Sequence, residues 1–212
     1  MRIGLLLPSI YMHEQFGKGR IFAPGLLSMS LVDGLIAKGH DVRFYTAPGV
    51  LSRATVVPGD ETLLTKDLFY YQFRNRDLAE QAYTTTEIRK RDYEYALTLK
   101  AYQDAKKENI DIIHSYHDFG AHYFNELTGF PTIYTLHDPM PTNQNTIEYH
   151  RLMRFASHSY VSISNAQRKD FGINFAATVY HGISLSGYEF GSGEGKYLIH
   201  FGRILEDKGT HT

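Results

Sequence analysis

Short apolar runs alternate with amphipathic stretches along the chain, and the alternation itself predicts the fold. Ile3 to Leu7 is apolar at consecutive positions, as a strand covered on both faces must be. Pro24 suits the first turn of a helix, Leu27, Leu31 and Leu35 recur at four-residue spacing, and Gly39 supplies the stop. Asp41 to Thr46 is the next strand, so the first three elements form a right-handed βαβ unit. Ala54 to Val57 reads as a third strand, at an edge. From Glu61 to Asn109 the pattern is helical, with Ile88, Tyr95, Leu99 and Tyr102 sharing one face of the second half.

Ile110 to Ile113 is a β-branched run that ends in His114, Ser115, Tyr116, His117 and Asp118. Phe119 to Thr128 follows as a helix stopped by Gly129. Pro131 to Leu136 is another strand and ends in His137 and Asp138. A helix from Thr146 to Ser157, a strand from Tyr160 to Ile163, a helix capped by Ser164 and a strand from Ala177 to Tyr180 complete the series. The composition then changes to Gly191-Ser192-Gly193-Glu194-Gly195, a flexible linker, before a strand at Tyr197 to Phe201 and a charged turn from Gly202 to Gly209. The order predicts an α/β protein with a Rossmann-like, doubly wound parallel sheet over residues 1–190. Residues 191–195 are expected to be a linker, and 196–212 a stub that opens a second domain. In such sheets ligands bind at the carboxyl ends of the strands, where the histidines stand.

Composition narrows the functional classes. With 42% hydrophobic and 21% charged residues the 212-residue chain is ordinary globular material. A net charge of -1 leaves no electrostatic footprint for nucleic acid, and the absence of cysteine removes disulfides, thiol nucleophiles and thiolate metal sites. The apolar start is too short for a signal peptide, and no run approaches the roughly 20 apolar residues of a membrane span, so a cytoplasmic protein is expected. The basic clusters Arg74-Asn75-Arg76 and Arg89-Lys90-Arg91 are most simply solvated helix faces; peripheral contact with a lipid surface or a phosphate is the alternative.

Candidate chemistry gathers at the strand ends. His114, His117 and His137 are three imidazoles on one predicted rim, where packing alone would require a partner for each. Each is a hydrogen-bonded histidine, a metal ligand or a substrate contact, and no cluster of recognisable metal-ligand spacing accompanies them. The long loop Ser9 to Ala23 carries His13, Gly17 and Gly19 and is either mobile or in contact with substrate. It holds neither a dinucleotide fingerprint nor a Walker motif, which disfavours an NAD- or flavin-linked oxidoreductase. Arg203 and Lys208, on a turn bounded by glycines, are suited to a diphosphate or else face solvent.

Taken in order, these motifs resemble the N-terminal half of a family 4 glycosyltransferase of the GT-B type. Gly39-His40-Asp41-Val42 is similar to the family's "GHEV" turn, and Asp111-Ile112-Ile113-His114 with His117 to "DVVHxH". Pro131 through His137-Asp138 is similar to "PxVxTxHG", and Ser162 through Arg168 to "xVSxxxxR". Val179-Tyr180-His181-Gly182-Ile183 resembles "VIxNGID", and Phe201-Gly202-Arg203 to Lys208-Gly209 resembles "VGRLxxEKG", the opening of the donor domain. The resemblance implies two Rossmann-like domains facing across a cleft, with metal-independent, retaining transfer from a nucleotide-sugar, UDP- or GDP-linked, to an acceptor hydroxyl. It puts His117 against the donor sugar or leaving group. The H-x-x-H spacing is one residue longer than the family's, so His114 competes for that position. The resemblance gives Arg203 and Lys208 the diphosphate, and the first loop, with His137 and Asp138, the cleft. Small molecules, lipids and polysaccharides are all open as acceptors, and the protein's own C-terminal domain is the implied partner. Without that domain the chain is expected to be inactive. A non-catalytic sugar- or nucleotide-binding module on the same scaffold is the alternative.

Overall fold

The structure, a computed structural model, describes residues 1–64, 80–116, 120–169, 171–182, 185, 188–191, 193–200, 204 and 209, the side chains of 80–86 aside. Seven strands form one parallel sheet: β1 (Arg2–Leu6), β2 (Asp41–Thr46), β3 (Thr55–Pro58), β4 (Ile112–Ser115), β5 (Thr132–Leu136), β6 (Ser159–Ser162) and β7 (Phe175–Thr178). Their order is β3-β2-β1-β4-β5-β6-β7. The chain winds outward from β1 to β3, returns across the sheet to β4 and winds the other way. The reversal lies between β1 and β4, which opens a crevice at their carboxyl ends.

β1 is covered on both faces. Leu5 and Leu7 pack with Val32, Val42 and Phe44 on one side, beneath α2 (Ala23–Ala37). Leu6 points the other way, into the cluster of Tyr45, Ile113, Tyr134 and Tyr160 that α3 (Glu80–Lys107) and α4 (Ala121–Thr128) cover. A short helix, α1 (Glu14–Gly17), lies in the loop after β1, and α5 (Ile147–Arg154) follows β5. Pro24 stands in the first turn of α2 as expected, and Gly39 (φ 80°) and Gly129 (φ 62°) end α2 and α4 in the left-handed region.

Several elements depart from the sequence reading. The buried face of α3 carries Tyr93, Glu94, Leu97, Thr98, Ala101, Tyr102 and Ala105. Ile88, Tyr95 and Leu99 are 54%, 40% and 41% exposed, so only Tyr102 of the predicted face is buried. The apolar spacing lay on the wrong side because the inner face of α3 is built partly from tyrosine, threonine, alanine and a glutamate. Ser164 caps a single 3-10 turn, Ala166–Arg168, by accepting from the Gln167 N–H at 3.1 Å. The last strand begins two residues earlier than predicted. Tyr197 to His200 form no strand, and Tyr197, Leu198 and Ile199 are almost fully exposed. His117 and Asp118, Arg203 and Lys208 lie outside the described residues.

The side of α3 that faces the sheet is testable. Leu97, 1% exposed, should lose about 2–5 kcal/mol of unfolding free energy on truncation to alanine. Leu99→Ala, two residues away on the outer face, should change stability by no more than about 0.5 kcal/mol. Urea unfolding of the two variants reads the difference, and equal losses would refute the assignment of faces.

Candidate active site

Four aromatic rings run in a line at the carboxyl end of β4 and β5. His114 on β4 pairs in register with Leu5 and Ile133, which sets its ring on the α2 side of the sheet. Its centroid is 5.1 Å from Tyr116; Tyr116 is 4.6 Å from His137; and His137 stacks on His181 at 5.3 Å with 9° between the planes. Of the three imidazoles expected at one rim, His114 and His137 stand there, His117 lies outside the described residues, and His181, which was not among them, joins the row.

Their chemistry differs. Nε2 of His114 is within 2.7 Å of Thr135 Oγ1, so this ring is held by the neighbouring strand. Burial, reinforced by His137, lowers its pKa to about 4. His137 has both ring nitrogens buried and neither with a hydrogen-bond partner. Burial first, then the nearby His181, lowers its pKa to about 4, against an opposing pull from Asp138. A buried imidazole with two unused polar atoms is a liability in a core and an asset beside a ligand: the neutral ring donates one hydrogen bond and accepts another.

Gln167 fixes the backbone around that ring. Its Nε2 donates to the carbonyls of Leu136 and Asp138, at 3.0 and 2.8 Å, and its Oε1 accepts from the Ile163 N–H at 2.8 Å. The residues on either side of His137 are thus tied to the end of β6 by one amide.

Two cavities meet at His137 and Asp138. The larger, about 320 Å³, lies at the switch point between β1 and β4; Leu7, Ser9, Tyr11, Phe22 and Pro24 form one wall, and Lys90, Glu94, Tyr116 and Thr135 another. The smaller, about 150 Å³, sits between β5, α4 and α5 and includes His122, Met140, Glu148, Arg151 and Leu152. The first loop reaches the larger cavity through Ser9 and Tyr11, while the loop residues singled out in the sequence serve the loop itself. His13 Nδ1 caps α1 by accepting from the Gln15 N–H at 3.3 Å. A side chain at Gly17 would collide with the Tyr11 carbonyl, and Gly19 (φ 73°) supplies a left-handed turn. None of His13, Gly17 and Gly19 lines either cavity.

Sequence reasoning missed Lys90 and Glu94. Lys90, read there as part of a solvated face, extends over the Tyr11 ring at 5.2 Å and lines the cavity. The available signal was length: 28 helical residues at about 1.5 Å each far outrun a five-residue strand. The helix runs antiparallel to the strands, so its first half must overhang the crevice. Among the described residues no group of three or more His, Asp or Glu is placed to hold a metal, and no helix is long and apolar enough to cross a membrane.

A parallel sheet wound on both faces, with its cavity at the switch point, defines a Rossmann-like α/β protein. The sequence model of Glycosyltransferase Family 4 matches residues 28–186, most of the chain, and the chain belongs to that family. No curated protein sequence matches it. Among solved structures it is similar to sucrose-phosphate synthase from Thermosynechococcus elongatus (12% identity, TM-score 0.45, 88% of this chain and 91% of that one). It is also similar to MurG of Acinetobacter baumannii (10%, 0.42, 85% and 44%) and to the glycosyltransferase VinC, solved in complex with DTDP (17%, 0.40, 74% and 39%). The chain thus spans less than half the length of MurG and of VinC.

The buried imidazoles give stability a defined pH dependence. His114 and His137, at about 4, and His122, lowered by burial to about 3, bind protons less readily than the unfolded chain, whose histidines titrate near 6.5. Above that value neither state is charged. As pH falls below it, the unfolded chain takes up protons the native one refuses, so stability declines continuously toward the folded values. Unfolding free energy is expected to fall between about pH 7 and about pH 4.5, and His122→Phe, which keeps a ring against Tyr134 and Phe155, should make the slope shallower. Urea titrations at several pH values check this; a flat profile would contradict the burial of these rings.

Proposed function

We propose that the chain forms the acceptor side of a GT-B glycosyltransferase, which moves a sugar from a UDP- or GDP-linked donor to an acceptor hydroxyl with retention and without a metal. The observation that carries this reading is His137, whose ring lines the switch-point cavity and whose two buried nitrogens have no hydrogen-bond partner. A neutral imidazole there can hold sugar hydroxyls in both senses, as donor and as acceptor, and Gln167 keeps its backbone in place. His117, adjoining Tyr116 in sequence, retains the role the resemblance implies, contact with the donor sugar or departing group, and His114 supports the rim through Thr135.

Residues 1–190 form the acceptor domain in this reading, 191–195 the linker, and 196–212 the beginning of the donor domain. Arg203 and Lys208 then meet the donor diphosphate and offset the negative charge that develops as the sugar leaves, the largest electrostatic contribution such a site makes. Residues 1–212 alone are inactive on this account, because the nucleotide-sugar is held mainly by the second domain. A cytoplasmic location fits a nucleotide-sugar substrate.

Release of nucleoside diphosphate from a panel of nucleotide-sugars by the complete gene product tests the proposal. His137→Ala should lower turnover by about 10²-fold or more. Undiminished turnover in that variant removes His137 from the site, and failure to consume any nucleotide-sugar refutes the activity.

A further inference from the structure

A second row of imidazoles lies away from the rim. His122, at the start of α4, is 2% exposed, and its ring stacks on Tyr134 (centroids 4.0 Å apart) and on Phe155 (4.9 Å, 11° between the planes). Its Nδ1 is 2.9 Å from Nδ1 of His158, whose Nε2 is in turn 2.8 Å from Oε1 of the exposed Glu126.

The row fixes where its protons sit. A carboxylate only accepts, so the proton shared with Glu126 belongs to Nε2 of His158. At a pH where both rings are neutral, Nδ1 of His158 is then bare, and the 2.9 Å contact takes its proton from Nδ1 of His122. Nε2 of His122 is left as an acceptor. It has no partner among the described residues and is not sealed off, in contrast with the two nitrogens of His137.

The His122 ring lines the 150 Å³ cavity between β5, α4 and α5. Leu136, Met140 and Leu152 supply apolar wall, while Asp138 and Glu148, which also line it, are exposed residues. An apolar cavity of about this volume admits one benzene-sized ring. A sugar would bring several hydroxyls against walls that cannot bond them. An ion of either sign would lose its water there for a single neutral acceptor, and an anion would meet a bare nitrogen. A neutral ring with one hydroxyl matches what is present.

We propose that this cavity binds a small phenol, whose ring fills the apolar space and whose hydroxyl donates to Nε2 of His122. The assignment does not rest on the transferase reading. His137 and Asp138 line both cavities, so the ligand borders the candidate active site without entering it.

Saturation-transfer NMR titrations of residues 1–212 at pH 8 test the proposal. Phenol should bind, and anisole, the same ring with no hydroxyl proton to give, should bind roughly two- to tenfold more weakly, the range for one neutral hydrogen bond. His122→Phe should abolish that preference. Glu126→Ala, at an exposed position outside the cavity, should reduce it, because without the carboxylate nothing fixes the proton on Nε2 of His158. The Glu126→Ala variant and the comparison of the two ligands on the unsubstituted chain keep the test decisive if His122→Phe does not fold. Absence of phenol binding, equal binding of phenol and anisole, or a preference undiminished in either variant would overturn the proposal. Benzoate or methyl α-D-glucopyranoside bound more tightly than phenol would do the same.

Discussion

The structure depends on β1 being buried from both sides. A strand that ends in Leu5 and Leu6, with Leu7 just beyond it, all three nearly inaccessible, needs a helix above and a helix below, and a parallel neighbour on each edge. One chain meets that requirement by winding outward in one direction and then returning to wind in the other. The return leaves the loops after β1 and β4 diverging, and the divergence is the cavity. Core and site are consequences of the same topological fact.

Where the cavity forms, desolvation decides the state of the groups around it. His114 and His137 are held neutral by burial, with pKa values near 4, so these two rings add no positive charge to the rim. Charge enters from α3, through Lys90 and Glu94. A helix much longer than the strand it covers brings those residues across the mouth of a sheet to which they contribute no strand. Gln167 does the complementary work on the other side, joining β5 to β6 through two carbonyls and one amide.

Most of the sheet was legible from periodicity because interior parallel strands are continuous apolar runs and their turns are marked by glycine. Five of the seven strands fall within a residue of where short apolar runs bounded by turn residues put them, β4 and β7 are each displaced by two residues, and Gly39 and Gly129 end their helices as read. Periodicity failed on α3, since tyrosines populate both its faces and hydrophobic character alone does not choose between them. It also failed at Tyr197 to His200, where apolar side chains with strand propensity stay exposed and form no strand.

The sequence by itself determined the parallel fold, the strand ends that carry histidine and, through six ordered motifs, membership of Glycosyltransferase Family 4. These are properties of local pattern and spacing, which a linear chain records directly. Only the tertiary structure decided that the buried nitrogens of His137 are left unpartnered, that His13, Gly17 and Gly19 serve the loop's own geometry, and that Lys90, Glu94 and His137 share a cavity. The reason is distance along the chain. Lys90 and His137 come from elements separated by a crossover, and neither burial nor hydrogen-bond satisfaction exists for a side chain until the elements that surround it have packed.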